Sequence, residues 1–230
     1  MRIRLLASIV CIVLLAIAVS ACGGSSTSDN GISSKSPDAI VSSVNSAVAG
    51  LKSVHITGSI VSTGVPITLD MDLVSGMGAR GSMSENGVGF QIVALGHEVY
   101  INGSPAFWRR LGGNAAAQLF NGKWLKAPAT GQFASLASLT NLQALFNKLL
   151  ASHGTLTKGA TSTVNGQKVV ALTDTTKGGT LYVATTGQPY PVEIIKGGSQ
   201  GGHIDFTGFN QSVSLAAPAN AIDISQLRSK

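Results

Sequence analysis

The chain has 230 residues, of which 44% are hydrophobic and 11% charged, and its formal net charge is +6. This length fits one large domain or two small ones, and the apolar content is ample for a core. With 28 glycines and only 5% aromatic residues, the composition favours short strands and turns and argues against a helical bundle. The positive charge alone is compatible with nucleic acid or an anionic surface as a partner.

The N-terminus has the order of segments typical of an export signal. Two arginines precede an uncharged apolar run over residues 5–19, which matches a signal-peptide core and is short for a membrane-spanning helix. Small residues at 19–21 then lead to Cys22. This order resembles the bacterial lipobox, in which a diacylglycerol is joined to the cysteine sulfur and the chain is cut before it. We predict a lipoprotein signal peptide over residues 1–21 and lipidation of Cys22; an uncleaved anchor or a secretory signal with an incidental cysteine is the alternative.

Cleavage before Cys22 changes the chemistry of the chain. The mature chain has 209 residues with 14 basic and 10 acidic side chains, a net charge of +4. Cys11 is removed with the signal, and the Cys22 sulfur is consumed as a thioether, so no free thiol remains. A disulfide, a thiolate metal site and a cysteine nucleophile are therefore excluded. An exported protein of modest charge is also poorly suited to nucleic acid, and we predict no nucleic-acid partner.

The lipidated cysteine defines the predicted location. Two or three acyl chains, at about 0.8 kcal/mol per buried CH₂, anchor a protein stably where one chain would not. We therefore expect the protein on the outer face of the plasma membrane, in the cell envelope. Residues 22–35 contain the cysteine and a glycine- and serine-rich stretch, which predicts a flexible tether.

A helix and two strands are predicted at the start of the mature domain. Ser36-Pro37-Asp38 is typical of a helix N-terminus, with a capping serine, a proline in the first turn and an acidic residue against the dipole. Apolar residues then recur at helical spacing and predict a helix over 37–51. The period changes to two after Ser53, which predicts a strand from Val54 to Ile60 and another over 65–73.

Further strands and a second amphipathic helix are predicted along the rest of the chain. Leucines and phenylalanines at helical spacing predict the second helix over 133–150, and a short helix is expected over 114–120. Asn165-Gly166 is a strong hairpin signal. The remaining predicted strands are 79–84, 88–94, 98–102, 106–111, 123–126, 154–164, 168–173, 180–185, 192–196 and 203–210.

This order of elements predicts an α+β fold with one large antiparallel sheet. We find no boundary or repeat within 36–230 and predict a single domain there. A sheet this wide must curl, and its concave apolar face must be covered. The two predicted helices leave a gap in that cover, which is either packed shut or holds an apolar ligand.

Two glycine motifs match patterns of nucleotide-binding proteins and hydrolases. Residues 76–81 fit G-x-G-x-x-G, but a bound pyrophosphate needs a helix N-terminus after the turn, and a strand pattern follows instead. Residues 197–201 fit G-x-S-x-G, yet Ser199 is followed by strand-like alternation, whereas a nucleophile elbow needs a helix. We predict a hairpin turn at each motif, no catalytic residue and no enzymatic activity.

The other polar groups do not assemble a site. The four histidines are scattered without metal-ligand spacing, so no metal and no cofactor are predicted. Asp70 and Asp72 share a strand face that is expected to point into water; a calcium or acid–base role is the less favoured alternative. Trp108-Arg109-Arg110 and residues 123–126 mix aromatic with basic side chains, which suits lipid headgroups or an ordinary sheet surface.

Several segments occur in an order that points to a known family. They are the lipobox at 19–22, "AVAGLKSVHITGSI", "HEVYING", "FWRR", "GKWLK", "LYVATTGQPYPVEI" with its turn Thr186-Gly187-Gln188-Pro189, and the ending "PANAIDISQL". With these segments the whole mature chain resembles the mycobacterial LppX/LprG/LprF lipoproteins, which are similar in fold to the LolA and LolB lipoprotein carriers. The shared segments bear on the fold, and none of them is catalytic.

The resemblance implies a half-open antiparallel barrel with helices across its concave side and a cavity for the acyl chains of lipids or glycolipids. It implies a membrane-tethered protein that carries acylated lipids from the plasma membrane towards the outer envelope, with an envelope transporter as a candidate partner. The alternative is a cell-surface interaction or scaffold lipoprotein with a closed cavity and no lipid cargo. The residues expected to line the cavity are Ile56, Ile67, Leu69, Met71, Phe90, Ile92, Leu139, Leu142 and Phe146.

Overall fold

Three helices and one twelve-stranded sheet form the described part of the chain, residues 28–134 and 141–227 of a computed structural model. The predicted α+β fold class is confirmed. The helices are α1 (Pro37–Ala49), α2 (Pro105–Phe120) and α3 (Leu142–Ala151). The strands are β1 (Ser53–Ser62), β2 (Val65–Val74), β3 (Gly78–Glu85), β4 (Val88–Leu95), β5 (Glu98–Gly103), β6 (Leu125–Pro128), β7 (Leu156–Val164), β8 (Gln167–Asp174), β9 (Thr180–Ala184), β10 (Pro191–Lys196), β11 (Gly202–Thr207) and β12 (Ile222–Asp223).

Two antiparallel meanders make up the sheet, whose strand order is β12-β6-β5-β4-β3-β2-β1-β11-β10-β9-β8-β7. They join where β1 runs antiparallel to β11, with Ile56 opposite Phe206. The short β12 pairs with β6 in parallel, so the sheet is antiparallel throughout except at this edge. Strand twist curls a sheet of this width. Among the described residues β7 and β12 remain separate edges, and the barrel stays open.

Helix α1 begins and packs as predicted. The Ser36 Oγ accepts a hydrogen bond from the Ala39 amide at 3.4 Å, which satisfies one amide of the first turn. Four apolar residues at helical spacing are buried against the sheet: Ile40, Val41, Val44 and Val48. Gln143 of α3 donates from its Nε2 to the carbonyls of Val48 and Ala49, at 3.2 and 3.3 Å, and so ties the end of α1 to the start of α3.

Helix α2 replaces the strand that was predicted over 106–111. A serine cap accounts for the difference, because the Ser104 Oγ accepts a hydrogen bond from the Phe107 amide at 3.2 Å and starts a helical turn there. The helix is interrupted at Gly112–Gly113, where the second glycine adopts a φ of 70° that favours glycine. The segment after this break confirms the short helix predicted over 114–120.

The second predicted amphipathic helix is shorter than expected. Helix α3 begins only after Asn141, which is its N-cap. The backbone of Asn141 is extended, and its Oδ1 accepts a hydrogen bond from the Ala144 amide at 2.9 Å. Gly131–Phe133 is a separate 3₁₀ turn rather than the first turn of the helix. The predicted helical residues 135–140, among them Leu139, lie outside the described residues.

The core lies on the concave face of the sheet, beneath α1 and α3. Phe146 of α3 and Phe206 of β11 are fully buried, and their ring centroids lie 5.4 Å apart. The same core cluster contains buried apolar residues from both meanders: Ile56, Met71, Leu73, Ile92, Val99, Val170, Leu172 and Val183. The two meanders therefore share one apolar core under the same two helices.

The ordered domain begins earlier than predicted. Asn30 donates from its Nδ2 to the carbonyls of Ala184 and Gly187, at 3.1 and 3.0 Å. Ile32 is only 2% exposed and belongs to the core. The tether predicted through residue 35 is corrected, because the chain from Asn30 onward is packed on the domain.

The predicted signal peptide and Cys22 fall within residues 1–27, which lie outside the described residues. Across 28–134 and 141–227, none of the helices combines the length and the apolar character needed to cross a membrane. Signal cleavage and acylation of Cys22 stay predictions.

Asp174, at the end of β8, organises the turn to β9 and the entry to β7. Its Oδ2 accepts a hydrogen bond from the Gly154 amide at 2.6 Å, and its Oδ1 accepts from the amides of Thr176 and Lys177, each at 2.8 Å. The Gly154 amide, followed by the Lys177 amide, holds the pKa of this carboxyl below its ordinary value. The carboxylate thus fixes two loops through three amides.

We expect the Ile32→Ala substitution to lower the free energy of unfolding by about 2–5 kcal/mol, because it removes buried methyl groups and leaves a cavity. Urea denaturation monitored by circular dichroism measures this change. The matched control is Ser34→Ala, an exposed position in the same segment; its hydroxyl donates to the Gly31 carbonyl at 2.8 Å, so its loss should change stability by no more than about 1 kcal/mol. Equally small effects of both substitutions would show that this segment is part of the tether after all.

Asp174→Asn should lower Tm at neutral pH, because the new amide group cannot accept from all three backbone amides at once. A lowered folded-state pKa means that the carboxylate stabilises the fold above its unfolded pKa of about 3.9 and loses that effect as pH falls through the folded value. The Tm difference between parent and variant should therefore shrink on acidification below about pH 4. Thermal unfolding at a series of pH values measures it, and a difference independent of pH would contradict the assignment.

Candidate functional site: an apolar pocket between α3 and the sheet

A small pocket lies on the concave face, between α3 and the strands β1–β4 and β11. It has a volume of about 80 Å³, and every residue that lines it has an apolar side chain. We call it the apolar pocket. Its lining residues are Ile56, Leu69, Met71, Leu73, Met83, Ile92, Leu145, Leu149, Ile204 and Phe206.

The floor of the apolar pocket is part of the buried core. Ile56 of β1 lies between Met71 of β2 and Phe206 of β11 in the registers of the two strand pairs. All three are buried, with exposures of 3%, 5% and 0%. The floor is therefore built at the junction of the two meanders, where the sheet is held on both sides by neighbouring strands.

The rim of the apolar pocket is only half-buried. Leu69 of β2 lies opposite Met83 of β3 in the strand register, and both side chains are partly exposed. Leu145 and Leu149 lie one turn apart on α3 and are partly exposed as well. The rim is thus the more exposed side of the apolar pocket.

A second pocket of about 200 Å³ continues along α3. It shares Leu149 with the apolar pocket, and Ile194 on its floor lies opposite Ile204 in the β10–β11 register. Polar residues also line it, among them His153 and Lys196. We call the two pockets together the α3 groove; it is apolar at one end and polar at the other.

Four of the nine residues predicted to line a cavity come together in the apolar pocket. They are Ile56, Leu69, Met71 and Ile92. Inward alternation along β1, β2 and β4 places them on the same concave face. Their contact with a ligand stays a prediction.

The other five residues lie elsewhere. Leu142 and Phe146 are 2% and 0% exposed and fill the core rather than line the apolar pocket. Ile67 and Phe90 are half-buried on the sheet outside the pocket. Leu139 lies outside the described residues.

Sequence reasoning did not assign Met83, Leu145 or Leu149 to the site. Met83 follows Ala79 and Gly81 on the inward face of β3, and such small residues give a weak apolar alternation. Helical periodicity predicts Leu145 and Leu149 only as members of the covering helix. Their spacing of four residues places them on one edge of α3, and this was the signal that could have identified the rim.

The two aspartates that the sequence singled out, Asp70 and Asp72, lie on the opposite, convex face. The Asp72 carboxylate lies 2.9 Å from the His55 Nδ1 and accepts a hydrogen bond from the Arg80 Nε at 3.1 Å. Asp70 is exposed on the same face, 3.7 Å from the His55 Nε2. Neither aspartate enters the α3 groove. Within the described ranges, no three histidine, cysteine or acidic side chains cluster in a way that could hold a metal ion.

Both glycine motifs form hairpin turns, as predicted. Residues 76–81 run from the β2–β3 turn into β3, and residues 197–201 connect β10 with β11. Ser199 is therefore followed by a strand, whereas a nucleophile elbow places its serine immediately before a helix.

Comparison with solved structures identifies two mycobacterial proteins of the same architecture. LprF from Mycobacterium bovis matches with a TM-score of 0.58 and 13% sequence identity, over 80% of this chain and 97% of that chain. The lipoprotein LppX from Mycobacterium tuberculosis matches with a TM-score of 0.52 and 17% identity, over 82% of this chain and 100% of that chain. Sequence comparison finds no matching family model and no significantly similar curated protein. The chain therefore has the curled-sheet fold of the LprF and LppX lipoproteins, as the sequence resemblance implied.

Proposed function

We propose that this protein is a membrane-tethered lipoprotein that binds the acyl chain of a lipid or glycolipid in the α3 groove. The observation that carries the proposal is the polarity of that groove, which is wholly apolar beneath Leu145 and polar near His153 and Lys196. An acylated lipid has the same gradient along its length. Burial of its chain supplies affinity at about 0.8 kcal/mol per CH₂ without any directed polar contact.

The size of the groove sets a condition on this function. Pockets that enclose small-molecule ligands measure roughly 300–1,000 Å³. The two parts of the α3 groove measure about 80 and 200 Å³. We infer that a lipid enters as α3 moves away from the sheet, because α3 provides one wall of both pockets and carries the half-buried Leu145 and Leu149.

The small volume also supports a second candidate function. In a cell-surface scaffold lipoprotein, α1 and α3 would be a permanent cover, and the contact between Phe146 and Phe206 would close the core for good. The apolar pocket would then be an ordinary packing defect, and the outer surface would bind a partner. Lipid occupancy separates the two functions.

The tether bears on the direction of transfer. Asp29 follows Cys22 by seven positions, and an extended chain of seven Cα–Cα steps reaches at most about 25 Å. An acylated Cys22 would therefore hold the α3 groove close to the membrane surface. In this proposal the protein takes its lipid from the plasma membrane, and delivery towards the outer envelope requires a partner, such as an envelope transporter, that approaches within this reach.

Leu69→Trp should reduce the fraction of protein with bound lipid several-fold, because the indole occupies the rim of the apolar pocket. The matched control is Thr68→Trp, which places the same side chain on the opposite face of the same strand and should leave occupancy unchanged. Native mass spectrometry measures the occupancy. Thermal unfolding reports any overpacking, for which about 1–3 kcal/mol is typical. A parent protein that carries no lipid even from lipid-rich cells, together with a destabilised Leu69→Trp variant, would refute lipid binding and support the scaffold function.

Cys22→Ala should abolish acylation and yield an uncleaved or released product, because the sulfur that accepts the diacylglycerol is missing. Labelling of cells with a clickable fatty acid, followed by detergent phase partition, measures this. Cys11→Ala is the control, and it should still be acylated because Cys11 lies within the predicted signal. A Cys22→Ala product that migrates as mature protein and still partitions fully into detergent would contradict the anchor.

A further inference from the structure

Helix α2 is held on the sheet by a fixed set of aromatic contacts. The Phe107 ring packs at 4.9 Å from the ring of Phe90 on β4, which joins the helix to the sheet, and the Trp108 ring packs at 5.5 Å from Phe120 within α2 itself. Phe107 also lies directly against Gly103, where an added Cβ would collide with its ring. Because the inward face of α2 is fixed in this way, its outward residues cannot turn into the core.

The outward face of α2 carries two large apolar side chains. Leu111 is 65% exposed and Leu119 is 53% exposed, one on each side of the break at Gly112–Gly113. Only Met77 and Ile195 are other large hydrophobic residues with comparable exposure among the residues that the structure describes. The break lets two short helical segments each present a leucine to solvent.

Basic side chains predominate near these leucines. Residues 99–173, which include α2 and α3, contain seven lysines and arginines and no aspartate or glutamate. Arg109 and Arg110 directly precede Leu111, and the exposed Lys123 follows the helix. Arg110 also forms an ion pair at 2.9 Å with Glu85 of β3, the acidic side chain that contacts this surface.

The aromatic residues of the two aromatic–basic motifs do not take part in this surface. Trp108 is 6% exposed and faces the core. Trp124 lines a shallow depression on the convex face, together with Asp72 and Arg80. The surface that could contact a membrane is therefore made of leucine and basic side chains on α2.

We propose that α2 docks on the anionic surface of the bilayer. Leu111 and Leu119 insert at the level of the headgroups, and Arg109, Arg110 and Lys123 lie against the lipid phosphates. Apolar side chains combined with basic ones are what an interfacial helix needs to bind an anionic membrane. A bilayer is favoured over a protein partner because the excess of basic side chains complements anionic lipid, and because the proposed tether would keep this domain beside a membrane. Docking does not require that the protein carry a lipid.

The test measures how close two surface positions come to the bilayer. Leu111→Trp adds a fluorophore on α2, and Thr161→Trp adds one at an exposed position on the edge strand β7. Each full-length variant, processed as cells produce it, is mixed with vesicles that contain brominated phosphatidylcholine, which quenches tryptophan on contact. One set of vesicles also contains phosphatidylglycerol. The parent, with Trp108 and Trp124, supplies the background.

We expect the added fluorescence at position 111 to be quenched several-fold more than that at position 161, and only when phosphatidylglycerol is present. Combining Leu111→Trp with Arg109→Gln and Arg110→Gln should abolish the difference, as should high salt. The comparison is valid whether or not Cys22 is acylated. In the acylated protein the anchor brings both positions near the vesicle, and in the non-acylated protein α2 must bind the vesicle from solution.

Equal quenching at the two positions would overturn the proposal, as would quenching at position 111 that is independent of anionic lipid. Concentration-dependent protection of position 111 without vesicles would also overturn it and would identify an interface between copies of this chain. Leu119→Trp repeats the measurement on the second half of α2. If the Leu111→Trp variant does not fold, the result at position 119 tests the proposal instead.

Discussion

Covering the concave face of an open twelve-stranded sheet is the constraint on which this structure depends. The face is apolar across both meanders, and within the described residues α1 and α3 provide most of its cover. They do so unequally, because α1 buries a complete helical stripe whereas one edge of α3 leaves Leu145 and Leu149 half-exposed. The candidate site is therefore the place where the cover is thinnest, and no separate set of binding residues was needed to create it.

Much of the fold could be predicted because the strongest signals are local. In β2 every second residue faces the core, so apolar and polar residues alternate in the sequence from Val65 to Leu73. Ser36 and Pro37 likewise mark the start of α1 by their own chemistry. Other elements depend on distant partners. The two-residue β12 exists only because it pairs with β6, and its local sequence carries no periodicity that would predict a strand.

Helix α2 and the candidate site show where local reasoning fails. The apolar residues from Ala106 to Leu111 fit a short strand, but the cap at Ser104 starts a helix there. In the site, the floor was predicted from alternation, but the rim was not, because which edge of α3 stays uncovered depends on how that helix packs against α1. Phe146 was expected in a cavity wall for the same reason. Periodicity identifies the buried face of a helix but not what lies opposite it.

The pairing of β1 with β11 has a consequence for how the chain folds. His55 lies opposite Thr207, so the sheet is joined through residues from the beginning and the end of the domain. Each meander can form from neighbouring strands, but the junction must wait for the last part of the chain, and such non-local pairing is slow. Until then the first meander has an unpaired edge at β1, and the free backbone groups of such an edge can pair with a strand of another chain. A chain that crosses a membrane N-terminus first would pass through this state on every round of export, so its survival would depend on how quickly β11 follows.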